Sequence, residues 1–227
     1  MDAQSASFLS LPLVRPELTT SQITDGLILA RRHSLAYALA RPCDVELAVR
    51  ILEGSPVRVA SGCGFPHGSQ NTATKLYEAR DLLRRGAREI HLAICTGKLL
   101  SREFQHVQTE LAQFCELCRK EGAVAGMILE SAWLDDETKI IVSRAAERAG
   151  VNLVKTFSLD DLKLMRKHLP EDIAATAAGD IATLAQFLEL RAAGAAQVET
   201  ESAAAVWEEG AGLGPGNGAG CRGPGAG

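Results

Sequence analysis

No apolar run in this chain is long enough to cross a bilayer. Excess positive charge is missing too. The 24 Lys and Arg stand against 28 Asp and Glu, so the net charge is −4, with no footprint for nucleic acid or an anionic membrane surface. The opening M-D-A-Q-S-A-S lacks the basic start and apolar core of a secretory signal, so a cytoplasmic protein is expected. Disulfide-scaffold spacing is absent among the six cysteines, Cys43, Cys63, Cys95, Cys115, Cys118 and Cys221, which fits a reducing compartment. Cys115 and Cys118 form a lone C-x-x-C with no second pair to complete a metal site, and read as two cysteines of a helix. No G-x-G-x-x-G follows the first apolar segment, so the phosphate loop of an open dinucleotide-binding sheet is not there.

What is present is alternation. The chain has 227 residues, 46% hydrophobic and 23% charged, which suits one large soluble domain. Short apolar runs at 8–14, 37–40, 57–61, 89–94, 124–130, 151–156, 173–177 and 196–199 read as strands. Between them lie helical stretches with polar caps and glycine stops: Thr19 or Thr20 to His33, Val45–Leu52 capped by Asp44, and Asn71 or Thr72 to Arg85 before Gly86. A long helix is expected over about 102–121, one capped by Asp135 or Asp136 and ended by Gly150, and two more at 159–168 and 183–193. Strand–helix units recur about every 25–35 residues, roughly eight in all, which argues for a closed (β/α)8 barrel over 1–209. The last helix is either short, about 202–209, or missing. From Gly210 the composition turns to glycine and alanine, too poor in apolar surface to order a backbone, and a disordered tail is expected over 210–227.

The stretch V-N-L-V-K-T-F-S at 151–158 carries the chemistry. It reads as a buried strand with Lys155 near its end and Thr156 next. A lysine there can aim its amine into the mouth of a barrel, where desolvation frees the lone pair to attack a carbonyl. The alternative is a lysine that ends a strand and reaches back to water.

G-F-P-H-G at 64–68, the helix T-K-L-Y-E-A-R-D-L-L-R-R-G-A-R-E-I at 74–90, L-V-K-T at 153–156 and D-D-L-K-L-M-R at 160–166 resemble deoxyribose-phosphate aldolase, in the right order over about 13–200. The resemblance implies a class I aldolase on a TIM barrel, one that cleaves 2-deoxyribose 5-phosphate to acetaldehyde and glyceraldehyde 3-phosphate. It implies no metal or other cofactor, and it makes Lys155 the Schiff-base lysine. The expected partners are a small aldehyde or sugar substrate and a second copy of the chain in a homodimer, with no nucleic acid and no membrane.

Other positions depart from the family pattern. His91 stands where the family has an aspartate, and reads either as a replacement proton donor and acceptor or as a histidine bonded inside the barrel. Thr176 replaces a second lysine that tunes the first, so burial alone is expected to activate Lys155. Ser10, or a neighbour, replaces a first-strand aspartate, Leu39 and Arg41 fall near a cysteine and an asparagine, and Gly126 replaces a lysine. Around the phosphate, Gly179-Asp180 replaces a double glycine and Glu199-Thr200-Glu201 replaces small and hydroxyl residues. A carboxylate about 4 Å from a phosphate repels it by about 4 kcal/mol per pair of unit charges at an effective dielectric near 20. The substrate-binding candidates are Thr156, Thr176, Gly179 and Asp180. His67 is expected to shape the G-F-P-H-G turn, and Glu130 to cap the next helix. His91, Cys95 and Glu130 are side chains suited to zinc, at no known zinc spacing. Two alternatives stand beside the aldolase: a divergent carbon–carbon lyase acting on a non-phosphorylated aldehyde, and an inactive barrel kept as a binding module.

Overall fold

The computed structural model describes residues 7–212. Eight parallel strands close on themselves in sequence order: β1 Leu9–Leu13, β2 Tyr37–Ala40, β3 Arg58–Cys63, β4 Glu89–Ala93, β5 Val124–Ile128, β6 Leu153–Thr156, β7 Ala174–Ala178 and β8 Gln197–Glu199. Pairing of β1 with β8, Leu9 to Val198 and Ser10 to Glu199, completes the ring. The helices are α1 Thr20–His33, α2 Val45–Leu52, α3 Thr72–Arg84, α4 Thr96–Leu100, α5 Phe104–Lys120, α6 Asp136–Ala149, α7 Leu159–His168, α8 Leu184–Ala192 and α9 Ala203–Gly210. This is the expected (β/α)8 barrel.

Alternation along each strand sorts the residues into two layers. Leu9, Leu11 and Leu13 of β1, Ile90 and Leu92 of β4, Ala125 and Met127 of β5 and Val154 of β6 join one continuous apolar cluster with helix residues such as Ile23, Leu27, Leu82, Leu111 and Leu162. The opposite parity faces the barrel interior. There Tyr37, Leu39 and Ala60 form a small separate cluster, and the polar Ser10, Glu89, His91, Lys155, Thr176 and Glu199 are buried.

The caps explain where helices start. Thr19 and Thr183 each form a capping box with a glutamine three residues on, Gln22 and Gln186. Asn71, Asp135 and Ser158 accept from the backbone N–H three residues ahead. Two expected caps are corrected. Asp44 makes no cap bond to α2, because Arg41 Nε holds its carboxylate at 2.6 Å. Glu130 makes none either; it precedes a short 3-10 turn, Ser131–Trp133, and Asp135 caps α6 instead. The helix expected over 102–121 begins at Phe104, with α4 split off before it where Arg102 turns at φ 57°. A final helix exists, α9, and its Ala203 and Val206 are fully buried. The glycine-rich tail lies outside the described residues from 213 on.

The G-F-P-H-G loop is a packed turn. Gly68 sits at φ +63°, and a Cβ there would lie 2.6 Å from the Ala93 carbonyl oxygen and the Ile94 backbone, so only glycine fits. Its N–H donates to the Gly64 carbonyl at 2.8 Å, while Phe65 and His67 face solvent.

Candidate active site

Lys155 stands one residue before the C-terminal end of β6, on the barrel's inward parity and 2% exposed. Sites on such barrels form at this end, where the strands open into the loops. Its register neighbours are Ile128 on β5 and Thr176 on β7. With Thr176 as its uncharged neighbour, the amine has a carboxylate as its ionic partner. Nζ donates to Glu199 Oε2 at 2.6 Å, reaching past β7 to the end of β8. Tyr37 Oη donates to the same oxygen at 2.8 Å, and the Lys155 Nζ lies 5.9 Å from the Tyr37 ring centroid. A buried ammonium is costly unless paired, and Glu199 supplies the pair. Burial, reinforced by Glu199 and Glu89, pushes the Tyr37 phenol well above its usual range, so Tyr37 remains an O–H donor.

His91 lies on β4 with the same inward parity, fully buried. Its Nε2 is 2.8 Å from Glu89 Oε1, and Arg58 Nε donates to Glu89 Oε2 at 2.7 Å. Burial lowers the His91 pKa, Lys155 lowers it further, and the Glu89 contact only partly restores it. For Glu89, burial acts upward, but the hydrogen bond from His91 and the contact with the Arg58 charge outweigh it and hold the carboxyl below its usual value. An ionised carboxylate only accepts, so Nε2 carries the hydrogen and Nδ1 keeps its lone pair. That Nδ1 is buried without a protein partner. Tyr37 meets the imidazole edge-on, with ring centroids 5.3 Å apart. Gly126 is what makes room: a Cβ there would sit 2.6 Å from His91 Cδ2 and 2.9 Å from Leu153 Cδ1. The glycine on β5 and the histidine on β4 are register partners.

The other candidate residues divide between the interior and the rim. Thr176 is fully buried beside Lys155, its Oγ1 without a protein partner. Thr156 follows Lys155, so it takes the opposite parity and pairs with Ala177 of the outer apolar cluster. Gly179 and Asp180 are exposed and line a cleft of about 210 Å³ with Phe157, Ser158, Gln186 and Glu189, beside the ends of β6 and β7. Asp180 and Glu189 thus put two carboxylates on its wall. Cys95 is the residue just before α4, and among the described residues no group of three His, Cys, Asp or Glu side chains is placed to hold a metal. Burial pushes the Cys115 and Cys118 thiols up to about 12, as expected of apolar helix residues.

Comparison with known proteins decides the family. No family profile matches the chain. The deoxyribose-phosphate aldolase of Bacteroides thetaiotaomicron is 33% identical over 213 residues, covering 90% of each chain. That of Rhodopirellula baltica is 32% identical, over 82% of this chain and 80% of its own. The chain belongs to the deoxyribose-phosphate aldolase family. The solved tetrameric deoxyribose-phosphate aldolase of Aeropyrum pernix superposes with a TM-score of 0.85 at 25% identity, covering 93% of this chain and 92% of its own.

Within this aldolase barrel, sequence reasoning missed Tyr37 and Glu89, and read Glu199 only as an obstacle to phosphate. A signal for Glu89 was available: two residues before His91 on a buried strand, it shares that residue's face. Tyr37 and Glu199 are 162 positions apart. Nothing local in the sequence joins them.

Proposed function

We propose that Lys155 is the Schiff-base nucleophile of a class I aldolase, which reversibly cleaves 2-deoxyribose 5-phosphate to acetaldehyde and glyceraldehyde 3-phosphate. The observation that carries this reading is the position of Nζ: buried, at the C-terminal end of a barrel strand, and hydrogen-bonded to a side chain able to accept its proton. The free amine adds to the aldehyde carbon, water leaves, and the resulting iminium draws electrons from the breaking carbon–carbon bond. Family membership supports the same reaction class. The reading needs no metal and no organic cofactor, and places the enzyme in the cytoplasm, as a homodimer, in carbohydrate and deoxyribonucleotide catabolism. None of the described helices is long and apolar enough to cross a membrane.

A second reading concerns the far end of the substrate. Asp180 on the cleft wall and Glu201 after β8 put negative charge where a phosphate would approach. Arg15 Nε is already shared between Glu17 and Glu201, at 3.4 Å each. This favours a non-phosphorylated aldehyde of the same chemistry.

Borohydride reduction read by intact mass tests both. The protein is incubated separately with acetaldehyde, deoxyribose 5-phosphate and deoxyribose, beside Lys155→Ala. The expected result is a reduced adduct that needs Lys155, and the preferred sugar shows whether phosphate helps. No Lys155-dependent adduct with any aldehyde overturns the aldolase reading and leaves the binding module.

A further inference from the structure

We propose that Glu199 is the general acid and base of this site, held in place by Tyr37, and that it moves the protons the imine chemistry requires. The inference rests on Lys155 being the nucleophile and names the group that serves it.

The geometry supports a direct role. Glu199 Oε2 touches the reacting atom itself, 2.6 Å from Lys155 Nζ, with no intervening group. The same oxygen accepts from Tyr37 Oη at 2.8 Å, from the opposite side of the barrel. Glu199 is 5% exposed and Tyr37 fully buried, so water competes little for these bonds. Ser10, its partner across the β1–β8 seam, is buried too. The next strand offers Thr176, a hydroxyl with no charge, where a second lysine would have assisted. Glu199 is the ionisable side chain in hydrogen-bond contact with Nζ.

The proton steps balance around one carboxylate. Glu199 takes a proton from the Lys155 ammonium, leaving a neutral amine and a carboxylic acid. The nitrogen lone pair forms the C–N bond, the C=O π pair moves to oxygen, and that oxygen takes the proton from Glu199. Glu199 then removes a proton from the new secondary ammonium. It returns that proton to the hydroxyl, which leaves as water while the nitrogen lone pair forms C=N. The carboxylate is regenerated beside the iminium cation. It next accepts the proton of the substrate's β-hydroxyl as the Cα–Cβ bond breaks. The bonding pair becomes the enamine C=C, and the hydroxyl carbon leaves as the second aldehyde. Protonation of the enamine carbon by Glu199 and hydrolysis of the iminium by water complete the cycle.

Tyr37 acts through Glu199, as a positioning residue. Its O–H fixes the carboxylate on the Nζ side. The charged and titratable groups bearing on Glu199 are Lys155 from β6, Tyr37 from β2, and His91 with Glu89 from β4.

The test is the rate of borohydride-trapped imine formation with acetaldehyde as a function of pH, in the full-length protein and in Glu199→Gln and Tyr37→Phe. Glu199→Gln keeps the shape and a carbonyl acceptor but neither takes up nor releases a proton. It is expected to slow imine formation on the order of a hundredfold or more, and to change the shape of the rate–pH profile. Tyr37→Phe is expected to slow it about tenfold with the profile's shape retained, the effect of one lost bond to a charged group. A wild-type rate and profile in Glu199→Gln, with the Lys155 adduct still forming, overturns the inference and leaves the aldolase reading intact. No Lys155 adduct in the wild type overturns both. If Glu199→Gln does not fold, Glu199→Asp decides: it keeps the charge and withdraws it by one methylene. A slowed rate with a normal melting transition supports the role, and an unchanged rate overturns it.

Discussion

Gly126 and His91 are two replacements that make sense only together. The imidazole occupies the space a Cβ at 126 would need, and Glu89 holds the ring there through Nε2. Gly126→Ala is therefore expected to overpack the barrel interior and cost about 1–3 kcal/mol, read from urea denaturation. In a His91→Ala background the same change is expected to cost less, and a double-mutant cycle measures that coupling. Equal cost in both backgrounds would show that Leu153, not His91, sets the limit. At this scale the sequence made both residues visible as departures from the family pattern, while hiding that one accommodates the other.

Elements are tied by an ion pair far from Lys155. Lys75 on α3 donates to Glu110 Oε2 on α5 at 2.9 Å and to the Ala93 carbonyl at the end of β4 at 3.0 Å, with the two side chains 1% and 2% exposed. Thr72 Oγ1 donates to the other Glu110 oxygen at 3.0 Å. Removing one partner strands a buried charge, so Glu110→Ala is expected to destabilise by about 3–5 kcal/mol in thermal or urea unfolding. Replacing both, Lys75→Met with Glu110→Leu, is expected to cost much less, because no charge is left buried. At the other end of the chain, α9 closes the barrel seam. It buries Ala203 and Val206, sets Trp207 against His33 with the rings tilted at 43° and their centroids 4.4 Å apart, and sends Glu209 to accept from the N–H of Leu184. A chain ending at Ser202 is expected to lose cooperative unfolding, seen as a broad calorimetric transition in place of a sharp one.

The whole molecule should be sensitive to acid. The folded barrel lowers His91 below its usual 6.5, so below that pH the unfolded chain binds a proton the folded one refuses, and stability falls. Glu89 is held below its usual 4.5, so its contribution is complete above 4.5 and is lost as pH falls through the folded value. Both act in the same direction: urea midpoints are expected to rise with pH, from the acid range to a plateau above about 6.5. His91→Asn is expected to flatten the whole of that rise, because His91 also supplies the hydrogen bond that helps hold the Glu89 carboxyl down. A profile unchanged by His91→Asn would place the acid sensitivity elsewhere.

By itself the sequence determined the architecture. Its apolar runs, polar caps and glycine stops placed eight strands and their helices within a few residues, because period and capping are local properties written into neighbouring positions. It missed α4, the short helix at Thr96–Leu100 that precedes the expected one and ends where the chain turns at Arg102, a residue with no glycine to announce it. It also pointed to Lys155, which local pattern left between a nucleophile and a strand-ending lysine reaching to water, and which the family resemblance made the Schiff-base candidate. What surrounds that lysine was decided only by closure of the barrel. Lys155 from β6 and Tyr37 from β2 converge on one oxygen of Glu199 from β8 because eight twisted strands bring their inward faces to one axis. Sequence separation carries no trace of that meeting, and the charge of Glu199 reads as an obstacle to a phosphate until the ring is closed around the amine.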